Sequence, residues 1–257
     1  MASLPTDGLS INALPDNWTV FNEAESLAQQ CVEEVLQIAD QAIKERGSFH
    51  FITAGGSTPN RCYQILSEKQ ADWQHWHIYM GDERVLPFNN AERNSQALLT
   101  HWLNKQQIPV KNIHFINTEA GASKSAQSYA NLIETVDSFD VCLLGMGEDG
   151  HTASLFPGHE NSDTVQSFFA ESSENSKNQP SKQPAPIIIE NDSPKPPSQR
   201  VSLSYATLTK CDLVIKLITG QSKQNAIQQW LNTNEQLPIK KAQGKQTKVY
   251  ISQDALP

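Results

Sequence analysis

The chain has 257 residues, enough to bury a complete hydrophobic core, and α/β architectures of this length commonly form one domain. Its 20 basic and 28 acidic side chains give a formal net charge of -8, and no lysine- or arginine-rich run could follow a phosphate backbone, so nucleic acid is not expected as a partner. An anionic small molecule would meet repulsion on average, so it would need a local cluster of arginine and lysine.

Apolar segments and cysteines bear on where the protein works. No window approaches the roughly 20 consecutive apolar residues that a membrane span needs, and the first residues lack the basic and apolar segments of a secretion signal. The cysteines are widely spaced, without a CxxC pair or a metal-ligand spacing, which predicts buried free thiols. They are Cys31, Cys62, Cys142 and Cys211. We therefore expect a cytoplasmic protein without membrane contact.

The first elements read as a helix followed by a strand. Residues 24–43 place apolar side chains at steps of three and four, which predicts an amphipathic helix that ends at Gly47. The apolar residues 49–54 predict a strand. Pro59 suits the first position of a second helix, with Thr58 as its N-cap.

Two glycines and two hydroxyl residues join that strand to that helix: Gly55, Gly56, Ser57 and Thr58. Unpaired backbone N–H groups at a helix N-terminus bind phosphate well, and glycine allows close approach. Turns of this composition also simply connect a strand to a helix, so the local pattern alone leaves both interpretations open.

The next segments continue the alternation. A strand is predicted at 77–80, and the charged residues Asp82, Glu83 and Arg84 follow it. Three adjacent charges are also typical of a solvated loop. Further along, the patterns predict a helix from residue 91 that contains Asn94, a strand from residue 113 and a helix over 125–136.

An apolar run at 141–144 stops abruptly at a glycine-rich loop that ends in His151. The loop contains Gly145, Gly147 and Gly150, and nothing in it continues a strand. Open α/β sheets bind ligands beyond the carboxyl ends of their strands, so this loop is where a site is expected.

The last part of the chain changes composition twice. Residues 161–183 are mostly polar, which predicts an exposed, mobile insertion. Prolines then stiffen the backbone around Lys195, and Arg200 opens an alternating strand. Strands are also predicted at 213–220 and 247–252, and Lys223 falls in the first turn of a helix, where the helix dipole disfavours a cation unless an anion lies between them.

Strands and helices therefore alternate along the chain. This order predicts an α/β fold in one domain over 1–257, with a Rossmann-like, mostly parallel sheet and helices on both faces.

Five motifs resemble those of one enzyme family, the 6-phosphogluconolactonases of the glucosamine-6-phosphate isomerase/6-phosphogluconolactonase family. They are GGSTP at 55–59, GDERVLP at 81–87, GMGEDGHTASLFPG at 145–158, SPKPP at 193–197 with Arg200, and GQSK at 220–223. The resemblance spans about 52–251. It implies hydrolysis of 6-phospho-D-glucono-1,5-lactone to 6-phospho-D-gluconate in the oxidative pentose phosphate pathway.

The resemblance also implies the site residues. The catalytic set would be His151, Asp149, Arg84 and Asp82. The substrate-binding set would be Gly55, Gly56, Ser57, Thr58, Lys195, Arg200 and Lys223. An imidazole has an ordinary pKa of about 6.5, so His151 could act first as general base on water and then as general acid. Asp149 could orient the imidazole or hold the tight loop, and the sequence does not separate these roles. No cofactor and no metal are expected, because lactone hydrolysis needs none.

Other interpretations remain open. A deaminase or isomerase acting on glucosamine 6-phosphate would use the same fold and histidine loop, and a noncatalytic regulator that binds a sugar phosphate would share the binding half of the site. His159 lies near enough to His151 to suggest a metal site with Asp149 and Glu148, but these residues do not have a recognisable metal-ligand spacing. The remaining histidines are expected in packing or surface roles. For the assembly we expect a monomer or a weak homo-oligomer.

Overall fold

The structure is a computed structural model that describes residues 14–159, 185–232 and 236–257. The insertion predicted at 161–183 lies outside the described residues. Among the described helices, none combines the length and the apolar character that crossing a membrane requires.

Strands and helices follow one another along most of the described chain. The strands are β1 (Trp18–Phe21), β2 (Phe49–Thr53), β3 (Trp76–Met80), β4 (Asp82–Arg84), β5 (Ile113–His114), β6 (Phe139–Gly145), β7 (Ile187–Glu190), β8 (Arg200–Leu203), β9 (Cys211–Ile218) and β10 (Gln246–Ser252). The helices are α1 (Ala24–Arg46), α2 (Ser57–Leu66), α3 (Asn94–His101), α4 (Ala122–Glu134), α5 (Tyr205–Leu208), α6 (Gln224–Asn232) and α7 (Pro238–Lys241).

The main sheet has seven strands in the order β1-β10-β9-β6-β2-β3-β5, and every pair in it is parallel. The connections through α1, α2 and α3 advance along the sheet in one direction, and those through α4 and α6 return in the other. Because parallel crossovers are right-handed, the two directions place helices on opposite faces. The predicted α/β fold with a mostly parallel sheet is confirmed.

A second, antiparallel sheet of three strands in the order β4-β8-β7 was not predicted. Asp82, Glu83 and Arg84 form β4 rather than a loop, and Arg84 lies opposite Arg200 of β8. A strand of three residues is too short to show a period of two, which explains why its pattern was not informative.

Helix starts differ from the predictions by two or three residues. Helix α2 begins at Ser57 rather than Pro59, because Gly56, at φ 112, makes the N-cap turn. Helix α3 begins at Asn94 rather than residue 91, since the preceding residues form turns. By contrast, Gly47 does end α1, at φ 80 in the left-handed region that favours glycine. These shifts bring both helix starts closer to the strand ends that precede them.

One hydrophobic core lies between the sheet and its helices, and it holds an unusual lysine. Lys216 of β9 has no exposed surface. Its Nζ lies 4.9 Å from the centroid of the Trp230 ring and has no hydrogen-bond partner among the described residues. Burial lowers the pKa of Lys216 from 10.5 to about 7.

Candidate active site

A pocket of about 270 Å³ opens beyond the carboxyl ends of β2, β6 and β9. Ten of the eleven predicted site residues line it, and the eleventh, Asp149, bonds to one of them. The ten are Gly55, Gly56, Ser57, Thr58, Asp82, Arg84, His151, Lys195, Arg200 and Lys223. The structure thus brings together residues that are far apart in the sequence.

The loop after β6 folds back on itself to present His151. Gly147 N–H donates to the carbonyl of His151 at 2.8 Å, and Gly150 N–H donates to the carbonyl of Gly147 at 3.1 Å. Gly150 adopts φ 81, and its carbonyl accepts a bond from Ile239 of α7. A Cβ on Gly147 would lie 2.0 Å from His151 Nδ1, so only glycine leaves room for the imidazole. The glycines therefore serve the placement of one side chain.

Asp149 holds that imidazole from one side. Its Oδ1 lies 2.5 Å from His151 Nδ1 and also accepts the backbone N–H of His151 at 3.1 Å. Burial acts to raise the pKa of Asp149, but the hydrogen bond and the charge interaction with His151 outweigh it, and the net pKa is about 2. The ionised carboxylate favours the tautomer with a proton on Nδ1, which leaves Nε2 free to accept one. The sequence left open whether Asp149 orients the imidazole or holds the loop. Its carboxylate makes both contacts, one to the ring and one to the loop backbone.

The glycine turn between β2 and α2 adds backbone N–H groups to the pocket lining. Because α2 begins at Ser57, its first N–H groups have no intrahelical acceptor. The Thr58 hydroxyl bonds to the hydroxyl of Thr219, which follows β9, at 2.6 Å. This arrangement matches the way helix N-termini receive phosphate.

Two arginines lie at the second sheet, with different partners. Arg84 Nη1 is 3.8 Å from Glu92, and Arg84 Nε is buried without a hydrogen-bond partner among the described residues. Arg200 donates from Nη2 to the carbonyl of Lys195 at 2.9 Å and from Nε to that of Pro197 at 3.3 Å. Arg200 therefore fixes the proline-rich loop that carries Lys195.

Lys223 precedes α6 in the short 3₁₀ turn Gln221–Lys223, not in the first turn of the helix as predicted. Burial lowers the pKa of Lys223, while the charges of Glu148 and Asp149 oppose the shift.

Asp82 lines the pocket, and both of its carboxylate oxygens accept hydrogen bonds. It accepts bonds from the Ser154 hydroxyl at 2.6 Å and from the Asn94 amide at 2.8 Å. Burial raises the pKa of Asp82, although the bond from Ser154 opposes the shift. These bonds connect β4, the start of α3 and the histidine loop.

Glu83 and Arg93 form a fully buried ion pair at 3.3 Å behind this network. Glu83 also accepts the backbone N–H groups of Asn94 and Ser95, both at 2.9 Å, so it caps α3. Asn94 in turn fits against Gly55, where a Cβ would lie 2.2 Å from the Asn94 amide oxygen. The pair sets the position of the α3 start against the glycine turn.

Several supporting residues were missed or left without a role at the level of sequence. They are Asn94, Ser154, Phe156, Thr219 and Leu237. Leu237 lies against Gly150, where an added Cβ would come within 2.9 Å of the leucine side chain. Ser154 belongs to the HTAS run, which is a weak sequence signal. Nothing in the sequence marks Leu237, because its partner Gly150 is 87 positions away.

Three histidines outside the loop pack against one another, and His75 is exposed at the surface. The rings of His50 and His77 stack at 4.7 Å between centroids, and those of His77 and His114 at 5.8 Å. His159 Nδ1 lies 2.8 Å from Glu190. Within residues 14–159, 185–232 and 236–257, no three His, Cys, Asp or Glu side chains are grouped as metal ligands would be.

Comparisons with known proteins agree with this arrangement. The family model described as glucosamine-6-phosphate isomerases/6-phosphogluconolactonase matches residues 22–251. The chain is 29% identical over 236 residues to 6-phosphogluconolactonase 3, chloroplastic, of Arabidopsis thaliana, covering 85% of this chain and 67% of that protein.

Solved structures share the fold. A 6-phosphogluconolactonase from Shewanella baltica OS155 superposes with a TM-score of 0.75 at 27% identity, covering 91% of this chain and 97% of that one. The fold of the 6-phosphogluconolactonase from Thermotoga maritima matches with a TM-score of 0.79 at 24% identity, covering 92% and 99% of the two chains. With a family model that spans most of its length, the chain belongs to the glucosamine-6-phosphate isomerase/6-phosphogluconolactonase family.

Proposed function

We propose that this protein hydrolyses 6-phospho-D-glucono-1,5-lactone to 6-phospho-D-gluconate, the lactone-opening step of the oxidative pentose phosphate pathway. The observation that carries the proposal is the His151–Asp149 pair at a pocket that also holds Arg84, Lys195 and Lys223. An acidic protein that gathers cations around an oriented imidazole is suited to an anionic substrate that needs proton transfer. The names of the relatives point to the same reaction.

In the proposed reaction, His151 Nε2 removes a proton from a water molecule as the water oxygen attacks the lactone carbonyl carbon. Asp149 keeps the ring aligned and stabilises the imidazolium that forms. The tetrahedral intermediate then collapses, the bond from the carbonyl carbon to the ring oxygen breaks, and the imidazolium returns its proton to that oxygen. We assign stabilisation of the oxyanion to the guanidinium of Arg84, because this side chain lines the pocket.

The phosphate group of the substrate is assigned to the part of the pocket formed by the glycine turn and Lys223. The backbone N–H groups at the start of α2, the Ser57 hydroxyl and the amine of Lys223 supply its donors. Lys195 adds a charge from a loop that Arg200 holds by two carbonyls. Nε and Nη2 of Arg200 donate to these carbonyls, so in this proposal Arg200 positions Lys195 and also contributes its charge to the phosphate side of the pocket.

The assembly and the location belong to the same proposal. We infer one domain, because both sheets contribute to one hydrophobic core, and we propose a monomer or weak homo-oligomer as its assembly. We infer a cytoplasmic setting from four buried free thiols, which suit a reducing compartment.

The test adds purified protein to freshly generated 6-phosphoglucono-δ-lactone and follows ring opening against the spontaneous rate. Saturable acceleration is expected. In parallel, glucosamine 6-phosphate is assayed for ammonia release, which would reveal the deaminase alternative. Binding of 6-phosphogluconate without turnover of either compound would indicate a noncatalytic regulator and would refute the lactonase proposal.

A further inference from the structure

Phe156 lines the pocket beside His151, and the reaction proposed above gives it no role. Its ring is 2% exposed and lies 4.6 Å from the ring of His151 and 5.6 Å from that of His159, between centroids. The guanidinium carbon of Arg200 lies 5.7 Å from the same ring centroid. One aromatic side chain therefore contacts the histidine loop and the arginine that holds the Lys195 loop.

The chain fixes Phe156 by a tight turn. Thr152 and Leu155 exchange backbone bonds of 3.3 and 2.9 Å, and Ala153 between them adopts φ 48, a left-handed conformation that costs a residue with a Cβ roughly 1–2 kcal/mol. The turn is anchored by Ser154, which donates to Asp82. Strain of this kind is retained where the surroundings over-determine the conformation.

The far side of the ring is also supported. His159, which contacts Phe156, bonds through Nδ1 to Glu190, and Glu190 is 1% exposed and accepts the backbone N–H of Asp192 at 2.6 Å. In the second sheet Glu190 is the register partner of Arg200. The Phe156 ring therefore lies between the turn that Ser154 anchors and the hydrogen-bonded pair His159–Glu190.

A single hydrogen bond leaves an imidazole free to tilt. Asp149 restrains the His151 ring only at Nδ1, and the direction of Nε2 changes when the ring rotates about that contact. The Phe156 ring packs against the imidazole with the two ring planes 38° apart, and this close contact limits rotation of the imidazole about its bond to Asp149. Proton transfer depends on such alignment, and a misplacement of about 1 Å can cost about a hundredfold in rate.

We propose that Phe156 is a positioning residue of the reaction: its ring aims the imidazole of His151 toward the substrate and joins the histidine loop to the Arg200–Lys195 side of the pocket. The proposal deepens the proposed lactonase function and rests on it. Phe156 touches no reacting atom and acts through His151 and Arg200.

The test compares Phe156→Leu with Phe49→Leu, a control in a core position whose ring contacts Phe51 and Trp76. Phe156→Met is measured in parallel in case the leucine variant folds poorly. Both Phe156 variants are expected to lower kcat on the lactone by about ten- to a hundredfold, with a smaller change in KM. The control is expected to lower Tm while kcat per folded molecule stays at the wild-type value.

A second readout does not depend on turnover. The ¹⁵N shifts of the His151 ring report the tautomer and its exchange, and they should change in Phe156→Leu and stay constant in Phe49→Leu. An unchanged kcat and unchanged ring shifts in the Phe156 variants would overturn the proposal, as would equal losses of kcat in all variants. If the wild type does not open the lactone, the lactonase proposal fails, and the ring shifts still show whether Phe156 positions His151.

Discussion

Lys216 carries an ionisable amine in the apolar interior of the protein. Its side chain is fully buried against the Trp230 ring, and burial lowers its pKa from 10.5 to about 7. Between these pH values the unfolded chain binds a proton that the folded chain does not. Lowering the pH from 10.5 toward 7 therefore lowers the free energy of unfolding. Below about pH 7 the effect of Lys216 on the free energy of unfolding no longer changes with pH.

Replacing Lys216 with methionine, a side chain of similar length without the amine, tests whether burying the amine destabilises the fold. The free energy of unfolding of Lys216→Met should exceed that of the wild type at pH 7, because the cost of burying the amine is removed. The difference should shrink as the pH rises toward 10, by at most about 1.4 kcal/mol per pH unit. Urea unfolding at several pH values measures it, with exposed Lys69→Met as the control. Parallel stability curves for wild type and Lys216→Met would contradict the account.

The histidine loop after β6 is the element on which the site depends most. Its turn is closed by the bond from Gly147 N–H to the carbonyl of His151. The Cα of Gly147 faces the imidazole so closely that an added methyl group would meet Nδ1 at 2.0 Å and Asp149 Oδ1 at 2.7 Å. The loop is therefore built around the space that these two side chains fill.

Gly147→Ala should separate His151 from Asp149 and lower kcat by about a hundredfold or more. The control is Gly47→Ala at the end of α1, where an added Cβ meets no atom within 4 Å but φ is 80. That control should lose about 1 kcal/mol of stability and keep its kcat. Steady-state kinetics with thermal unfolding separates the two effects. Wild-type kcat in Gly147→Ala would show that the close packing at this position has no catalytic consequence.

Elements that show a local pattern were predictable, and elements defined by distant partners were not. Helix α1 and strand β6 carry their own periodicity or apolar run, and the histidine loop follows from the point where β6 stops. Strand β4 exists because β8 pairs with it from 118 positions away, counted between the partners Glu83 and Val201. No local pattern encodes such a contact.

The same distinction holds within the site. All eleven predicted site residues meet at the pocket or bond to its lining, because sequence motifs mark groups that must meet a ligand. The supports behind them, such as Asn94 against Gly55 and Leu237 against Gly150, are ordinary residues in ordinary surroundings. Their role arises from packing across the fold, which the sequence does not display.

Across the whole molecule, charge is distributed unevenly. The chain carries a formal charge of -8, yet Arg84, Lys195, Arg200 and Lys223 all line one pocket. Parallel strands bring their carboxyl ends to a single edge, so the loops after β2, β6 and β9 bring the glycine turn, the His151–Asp149 pair and Lys223 together, and the antiparallel sheet adds Arg84 and Arg200. The fold thereby brings the residues proposed for catalysis and those proposed for binding to one pocket.

The central claim is that His151 transfers the protons at this site, and the most direct measurement is lactone turnover by His151→Asn beside its affinity for 6-phosphogluconate. Asparagine keeps a donor for Asp149 but cannot exchange a proton near neutral pH. The account predicts that kcat falls by about 10²–10⁴ while the affinity for 6-phosphogluconate stays close to that of the wild type. Wild-type turnover in His151→Asn would contradict it.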